Sequence, residues 1–213
     1  MEIVNKLNKN EQYEEANVLV VSKTKMGNNY TCIGSISNTG VYMRLLSFDG
    51  SNMLKNVEIN IHDNLYIKYK KREDTQPPHN EDINLYFAKK ISTNSRPILK
   101  VLEILNIKIW KGAPSVMFNG KLKWSQSQWS SKGYISSDDI PNHSVGFWIA
   151  DKDLYLNDNR YEYISDNSTC SIKYVGINKP QECIYKGTLI RVSLARWWDN
   201  HGAFEDKIDS FRI

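Results

Sequence analysis

Short runs of alternating side chains constrain this chain more than any other feature. In "DNLYIKYKKR" (63–72), Leu65, Ile67 and Tyr69 share one parity and Tyr66, Lys68 and Lys70 share the other. A period of two puts these sets on opposite faces of a β-strand, one mainly apolar and one polar. Similar runs recur along the chain. "NVLVVSKT" (17–24), "YTCIGSIS" (30–37), "GVYMRLLSF" (40–48) and "INLYFAKKIS" (83–92) complete a first group of strand candidates. "SVGFWIADKDLYL" (144–156), "RYEYIS" (160–165), "CSIKYVGI" (170–177) and "GTLIRVSLA" (187–195) form a second. Asn38-Thr39 and Gly40 read as a hairpin connection, and Phe48-Asp49-Gly50-Ser51 as a turn.

Between the groups, "RPILKVLEILNI" (96–107) places Ile98, Val101, Leu102 and Leu105 at helical spacing behind Ser95 and Pro97. A strand can also be drawn through 104–109, and the helix is the preferred reading. Residues 121–143 have no clean period and are expected to form a long loop. The organisation that follows is a polar N-terminal extension (1–16), a first small barrel (17–95), a connector (96–113) and a second barrel (114–213). Two small barrels and one larger sandwich both accommodate two clusters of short strands.

Hydrophobic residues make up 40% and charged residues 24% of the chain, which excludes a disordered protein. No apolar run approaches the roughly 20 residues that span a bilayer, and the polar start lacks the layout of a secretion signal. Three cysteines, Cys32, Cys170 and Cys183, are an odd number without CxxC spacing. Reduced thiols in a cytoplasm are therefore expected.

The net charge is only +4, but it is unevenly spread. From Ile83 to Lys132 there are nine Lys/Arg against the single acid Glu103, so this segment carries +8 and the remainder −4. Such asymmetry suggests a polyanion-facing region, and on charge alone a solvated lysine-rich face is an equal alternative. Trp110, Phe118, Trp124 and Trp129 are interleaved with these cations. Cations that track phosphates and aromatic rings that stack on bases are the components of a single-strand groove. The same tryptophans are equally suited to filling a small core.

"QPPHNEDI" (76–83) is the sharpest polar cluster. His79, Glu81 and Asp82 are candidate metal ligands or acid–base groups. The competing and preferred reading is a rigid turn whose acids accept backbone hydrogen bonds. No P-loop, GxSxG, HExxH or CxxC pattern occurs. No catalytic residue, metal or cofactor is therefore expected. In "LIRVSLARWWDN" (189–200), Ile190, Val192 and Leu194 are core candidates and Arg191 faces the other way. Arg196-Trp197-Trp198 follows the end of the pattern, next to Asp199, and reads as a packed closure.

Taken in order, "VLVVSKTKM", "TCIGSIS", "VYMRLL", "PPHNEDI", "SVGFWIADKDL" and "LIRVSLARWW" resemble the dual OB-containing domain family. This is a bacterial family whose nucleic-acid binding is itself inferred from fold. The resemblance runs from about Asn17 to Trp198. It implies a mainly β protein of two OB-like barrels packed together around the short connector, with nucleic acid bound on a strand face and adjoining loops. Residues 151–213 hold nine Lys/Arg against ten Asp/Glu, so binding is expected on the first barrel and the basic middle. The expected function is non-catalytic binding of single-stranded or structured DNA or RNA. Phosphate contacts are expected from Arg44, Lys68, Lys70, Lys121, Lys123 and Arg191, and stacking from Tyr66, Trp124 and Trp129. The alternative is a protein-interaction subunit of a bacterial defence or mobile-element system, with the tryptophans as interface anchors. A metal-dependent hydrolase at His79, Glu81 and Asp82 is the third reading.

Overall fold

The computed structural model describes residues 2–4, 7–8, 10–125, 131–166, 168–195 and 210–212, with backbone only at 4, 131 and 210–212. The chain is mainly β and divides into two compact units. The first comprises Met1–Gln76, Glu81–Ile107 and Val175–Ile177, and the second Pro77–Asn80, Lys108–Tyr174 and Asn178–Ile213.

The first unit contains β1 (Glu2–Val4), β2 (Glu14–Met26), β3 (Tyr30–Ser37), β4 (Tyr42–Leu46), β5 (Met53–Leu54), β6 (Asp63–Lys71) and β7 (Asp82–Thr93). Strands β7, β4, β3, β2 and β6 lie side by side in that order, and pairing of β6 with β7 closes them into a five-stranded barrel. The β4–β7 pair is parallel and the other barrel pairs are antiparallel. Consecutive strands β2, β3 and β4 neighbour one another while β6 returns beside β2, which is a Greek key. The alternation in β6 sends Leu65, Ile67 and Tyr69 into a core with Val18, Val20, Ile33, Leu45 and Leu85. The run at 17–24 does not alternate cleanly because a bulge between Val20 and Ser22 shifts the register. Helix α1 (Ile98–Ile104) occupies the ambiguous segment and buries Leu102. The start of the chain is not all extension, since β1 pairs with β7 and β2 begins at Glu14.

The second unit contains β8 (Ile109–Gly112), β9 (Lys123–Trp124), β10 (Ser131–Ser136), β11 (Val145–Ala150), β12 (Leu154–Asn157), β13 (Arg160–Ile164), β14 (Thr169–Lys173), β15 (Cys183–Ile184), β16 (Leu189–Ser193) and β17 (Ser210–Arg212). A seven-stranded sheet runs β15-β12-β13-β14-β10-β17, with β9 also on β10, and a three-stranded sheet runs β16-β11-β8. One core gathers Trp110, Phe118, Ile135, Trp148, Tyr161, Tyr163, Val192 and Leu194. The region expected as a long loop thus contributes β9 and β10, and the run at 144–156 divides into β11 and β12 around Asp151–Asp153. Among the described residues no helix is long and apolar enough to cross a membrane.

Two tryptophans in this core have no freedom to serve as surface groups. Trp148 is fully buried and donates its indole N–H to the Gly112 carbonyl at 2.9 Å. Trp110 donates to Asn119 Oδ1 at 3.1 Å. A Cβ added at Gly146 would stand 2.2 Å from the Trp110 ring, so the ring lies directly on the β11 backbone. Gly146→Ala is therefore expected to lower stability by about 1–3 kcal/mol, the usual range for overpacking. Denaturant unfolding followed by tryptophan fluorescence measures this, and an unchanged midpoint would contradict the packing.

Candidate nucleic-acid interface

The outer face of β6 is where the sequence places its first binding residues. Tyr66, Lys68 and Lys70 do point away from the core, but this face carries its own counter-charges. Lys68 pairs with Glu15 at 2.8 Å, Lys70 with Glu11 at 2.5 Å and Lys71 with Glu14 at 3.2 Å. Strand register explains the first pair, because Glu15 stands directly opposite Lys68. Lys70 also lies 5.2 Å from the Tyr13 ring centroid and 5.5 Å from that of Tyr86. Tyr66 sits edge-on to Phe87 at 6.1 Å. Hydrogen bonding to the Glu15 side chain raises its phenol above the ordinary range. Exposed ion pairs of this kind add little stability. They do neutralise the cations a phosphate would need.

Arg44 is not on an open surface. It is buried on β4, opposite Asp82 of β7, and its fork grips that carboxylate at both oxygens, with Nε to Oδ1 at 2.5 Å. Its backbone N–H donates to the Glu81 carbonyl at 2.8 Å. Burial opposes the charge, but the hydrogen bonds and charge of Asp82 outweigh it and hold Arg44 above its ordinary pKa. The carboxylate of Asp82 thus accepts from a guanidinium, where the sequence pattern pointed to backbone donors. His79, Glu81 and Asp82 are all buried, and no group of three His, Cys, Asp or Glu poised for a metal occurs among the described residues. The surroundings of Arg44 are equally closed. All of β3 beyond Tyr30 is buried, as is all of β4 beyond Tyr42.

In the second unit, Trp124 is partly buried and packs against the core, so it is not a free stacking platform or interface anchor. Lys121 pairs with Asp139 at 2.8 Å and donates to the Ile140 carbonyl at 3.2 Å. Arg191 is half-buried on β16 opposite Phe147, while Ile190 and Val192 face the core. Trp129, Arg196, Trp197 and Trp198 lie outside the described residues.

A different set of cations comes together on the outer face of the seven-stranded sheet. Register sets the face. Tyr161, Tyr163, Cys170 and Ile135 point into the core, so their strand neighbours Arg160, Glu162, Ser171, Lys173, Lys132 and Tyr134 point out. Lys132 stands opposite Ser171, Lys173 opposite Arg160, and Lys123 of β9 opposite Tyr134. Tyr155 of β12 stands opposite Glu162 and is 52% exposed. Lys123, Lys132, Arg160 and Lys173 make no ion pair with a carboxylate among the described residues. Lys123 does help hold the Asp138 carboxyl below its usual range, a shift caused first by the Ser136 hydroxyl. The acid among the outward residues of β13 and β14 is Glu162, whose Oε1 accepts from Asn157 at 2.8 Å.

Sequence reasoning missed Lys132, Arg160, Lys173, Tyr134 and Tyr155 as a group. Lys132 belongs to the basic middle, whereas Arg160 and Lys173 come from the slightly acidic end, and only strand pairing makes them neighbours. Comparison with protein-family models, curated proteins and solved structures returned no match.

Arg44 and Asp82 give a direct test of a structural role. Removing one partner of a buried ion pair costs about 3–5 kcal/mol. Arg44→Ala is therefore expected to shift the chemical denaturation midpoint strongly, and a variant as stable as the parent would overturn the assignment.

Proposed function

We propose that the protein is a non-catalytic nucleic-acid-binding module whose contact surface is the outer face of the seven-stranded sheet. The observation that carries this reading is the grouping of Lys123, Lys132, Arg160 and Lys173, none ion-paired among the described residues, beside Tyr134 and the exposed ring of Tyr155. Cations without their own carboxylates attract phosphates, and an exposed phenol face stacks on an unpaired base. The Greek-key closure of the first barrel supports an OB-type architecture, in keeping with the resemblance to the dual OB-containing domain family. The three cysteines are free, two of them buried, which supports a reducing, cytoplasmic setting.

Binding of a fluorescent single-stranded oligonucleotide, followed by anisotropy across a salt series, tests the reading. Each phosphate neutralised on a single strand contributes about −0.7 to the slope of log K against log salt. The four named cations thus predict a slope of roughly −3. An affinity insensitive to salt would sink the proposal. A second comparison separates the two faces. The double variant Lys123→Glu, Lys132→Glu is expected to abolish binding, while Lys68→Gln with Lys70→Gln leaves it nearly unchanged. The reverse result would return the interface to β6.

A further inference from the structure

Arg160 and Lys173 occupy directly opposite positions on β13 and β14. Like charges so placed repel. Arg160 does not swing away from its neighbour. Its Nε donates to Ser171 Oγ at 2.6 Å and its Nη2 to the Ser171 carbonyl at 2.7 Å. The guanidinium is therefore drawn across β14 to Ser171, the residue that Lys132 faces from β10. Register thus places three cations on one face of three adjacent strands around the buried Ser171, with the Arg160 guanidinium bonded to it.

The contrast with other arginines is informative. Arg44 and Arg72 each fork onto a carboxylate, Asp82 and Asp74. Arg160 is fixed just as firmly, but by a neutral serine, so its orientation is set and its charge is left uncompensated. Its Nη1 has no hydrogen-bond partner among the described residues. Burial works against the charge and lowers the pKa from its ordinary value, yet an arginine stays protonated at any physiological pH. A guanidinium with one edge pinned and another open suits a tetrahedral oxyanion, which takes parallel N–H donors. The acid Glu162 stands directly opposite Ser171 and accepts from the Asn157 amide at 2.8 Å; it keeps its charge but, among the described residues, forms no ion pair with Arg160, Lys173 or Lys132. Tyr155 stands opposite Glu162 and is therefore the diagonal neighbour of Arg160, with a Cα separation on the order of 7–8 Å.

We propose that Arg160, Lys173 and Lys132 form a phosphodiester-binding subsite for a single strand, with Tyr155 stacking on the adjacent base. This rests on the nucleic-acid reading above and assigns it one phosphate position and one base position. A duplex keeps its bases stacked on each other, so an exposed phenol contributes only to an unpaired strand.

The test uses the full chain and a short labelled oligothymidylate at low salt. Lys173→Gln and Arg160→Gln are each expected to weaken binding about tenfold or more, the effect of losing a charge-assisted hydrogen bond. Each is also expected to reduce the salt slope by about 0.7. Arg160→Lys keeps the charge without the pinned fork and should fall between parent and Arg160→Gln. Tyr155→Ala is expected to weaken binding about fivefold or more and to leave the salt slope unchanged. Lys100→Gln, on α1 and paired with Glu103, serves as the control. If the parent binds and Lys173→Gln and Arg160→Gln bind equally well, the subsite is wrong and the broader reading stands. If the parent does not bind, both fall. Should Arg160→Gln lower the melting temperature sharply, Lys173→Gln, at an exposed position, decides alone.

Discussion

Pairing of β6 with β7 is the contact on which the first unit depends. It turns an open sheet into a closed barrel, leaving neither strand as an edge. It also fixes which side chains point inward. Register shifts between Asn64 and Leu65 and between Lys68 and Tyr69 place Leu85 and Ala88 on the core side, although they are three residues apart. Without the second shift, a strict period of two would turn one of them outward. In the same barrel the buried Arg44–Asp82 pair joins β4 to β7 across the parallel seam. The most chemistry-like motif in the sequence is thus tied to the least regular point of the barrel. The buried charge of Asp82 is compensated by Arg44.

The strand content was largely legible. Alternation located β6 and β13 to within a residue, because each has one face in a core and one outside, and β16 to within two residues at each end. The helix at 98–104 was also visible through Ile98, Val101 and Leu102. Two kinds of element were not. Very short strands such as β5, β9 and β15 hold too few residues to show any period. β10 was hidden because Gly133 stands at an inward position, where it leaves no apolar mark in the sequence. The bulges in β2 and β7 broke the parity that sequence reading relies on.

The candidate site was harder to read because charge along a chain is not charge on a surface. The segment from Ile83 to Lys132 carries +8, yet Lys90 is paired with Asp63, Lys100 with Glu103 and Lys121 with Asp139. The lysines of β6 meet Glu11, Glu14 and Glu15, residues of the segment read as a polar N-terminal extension. Pairing of β2 with β6 sets Glu15 against Lys68 and brings Glu14, at the start of β2, and Glu11, just before it, alongside the other lysines. The same kind of pairing assembles the uncompensated cations of the second unit, drawing Arg160 and Lys173 from a segment with a slight acidic excess. Among the tryptophans, the core alternative left open by the sequence holds for two. Trp110 and Trp148 are core, where their area is worth most and their N–H groups find acceptors.

What separates a structural cation from a binding one is the origin of its counter-charge. Lys68 brings Glu15 with it, so a phosphate must first displace a carboxylate and gains little from the exchange. Arg160 meets the other need of a binding group, a fixed direction, through Ser171, which carries no charge. A carboxylate in that place would orient the guanidinium equally well and cancel its field. A serine orients it and leaves the field intact. Lys173 opposite and Lys132 across β14 then add to that field at a cost in repulsion that the folded protein bears alone. An anion held among the three would relieve it, and that is the physical basis on which the proposed subsite is placed in this cluster and not in the longer basic run of the sequence.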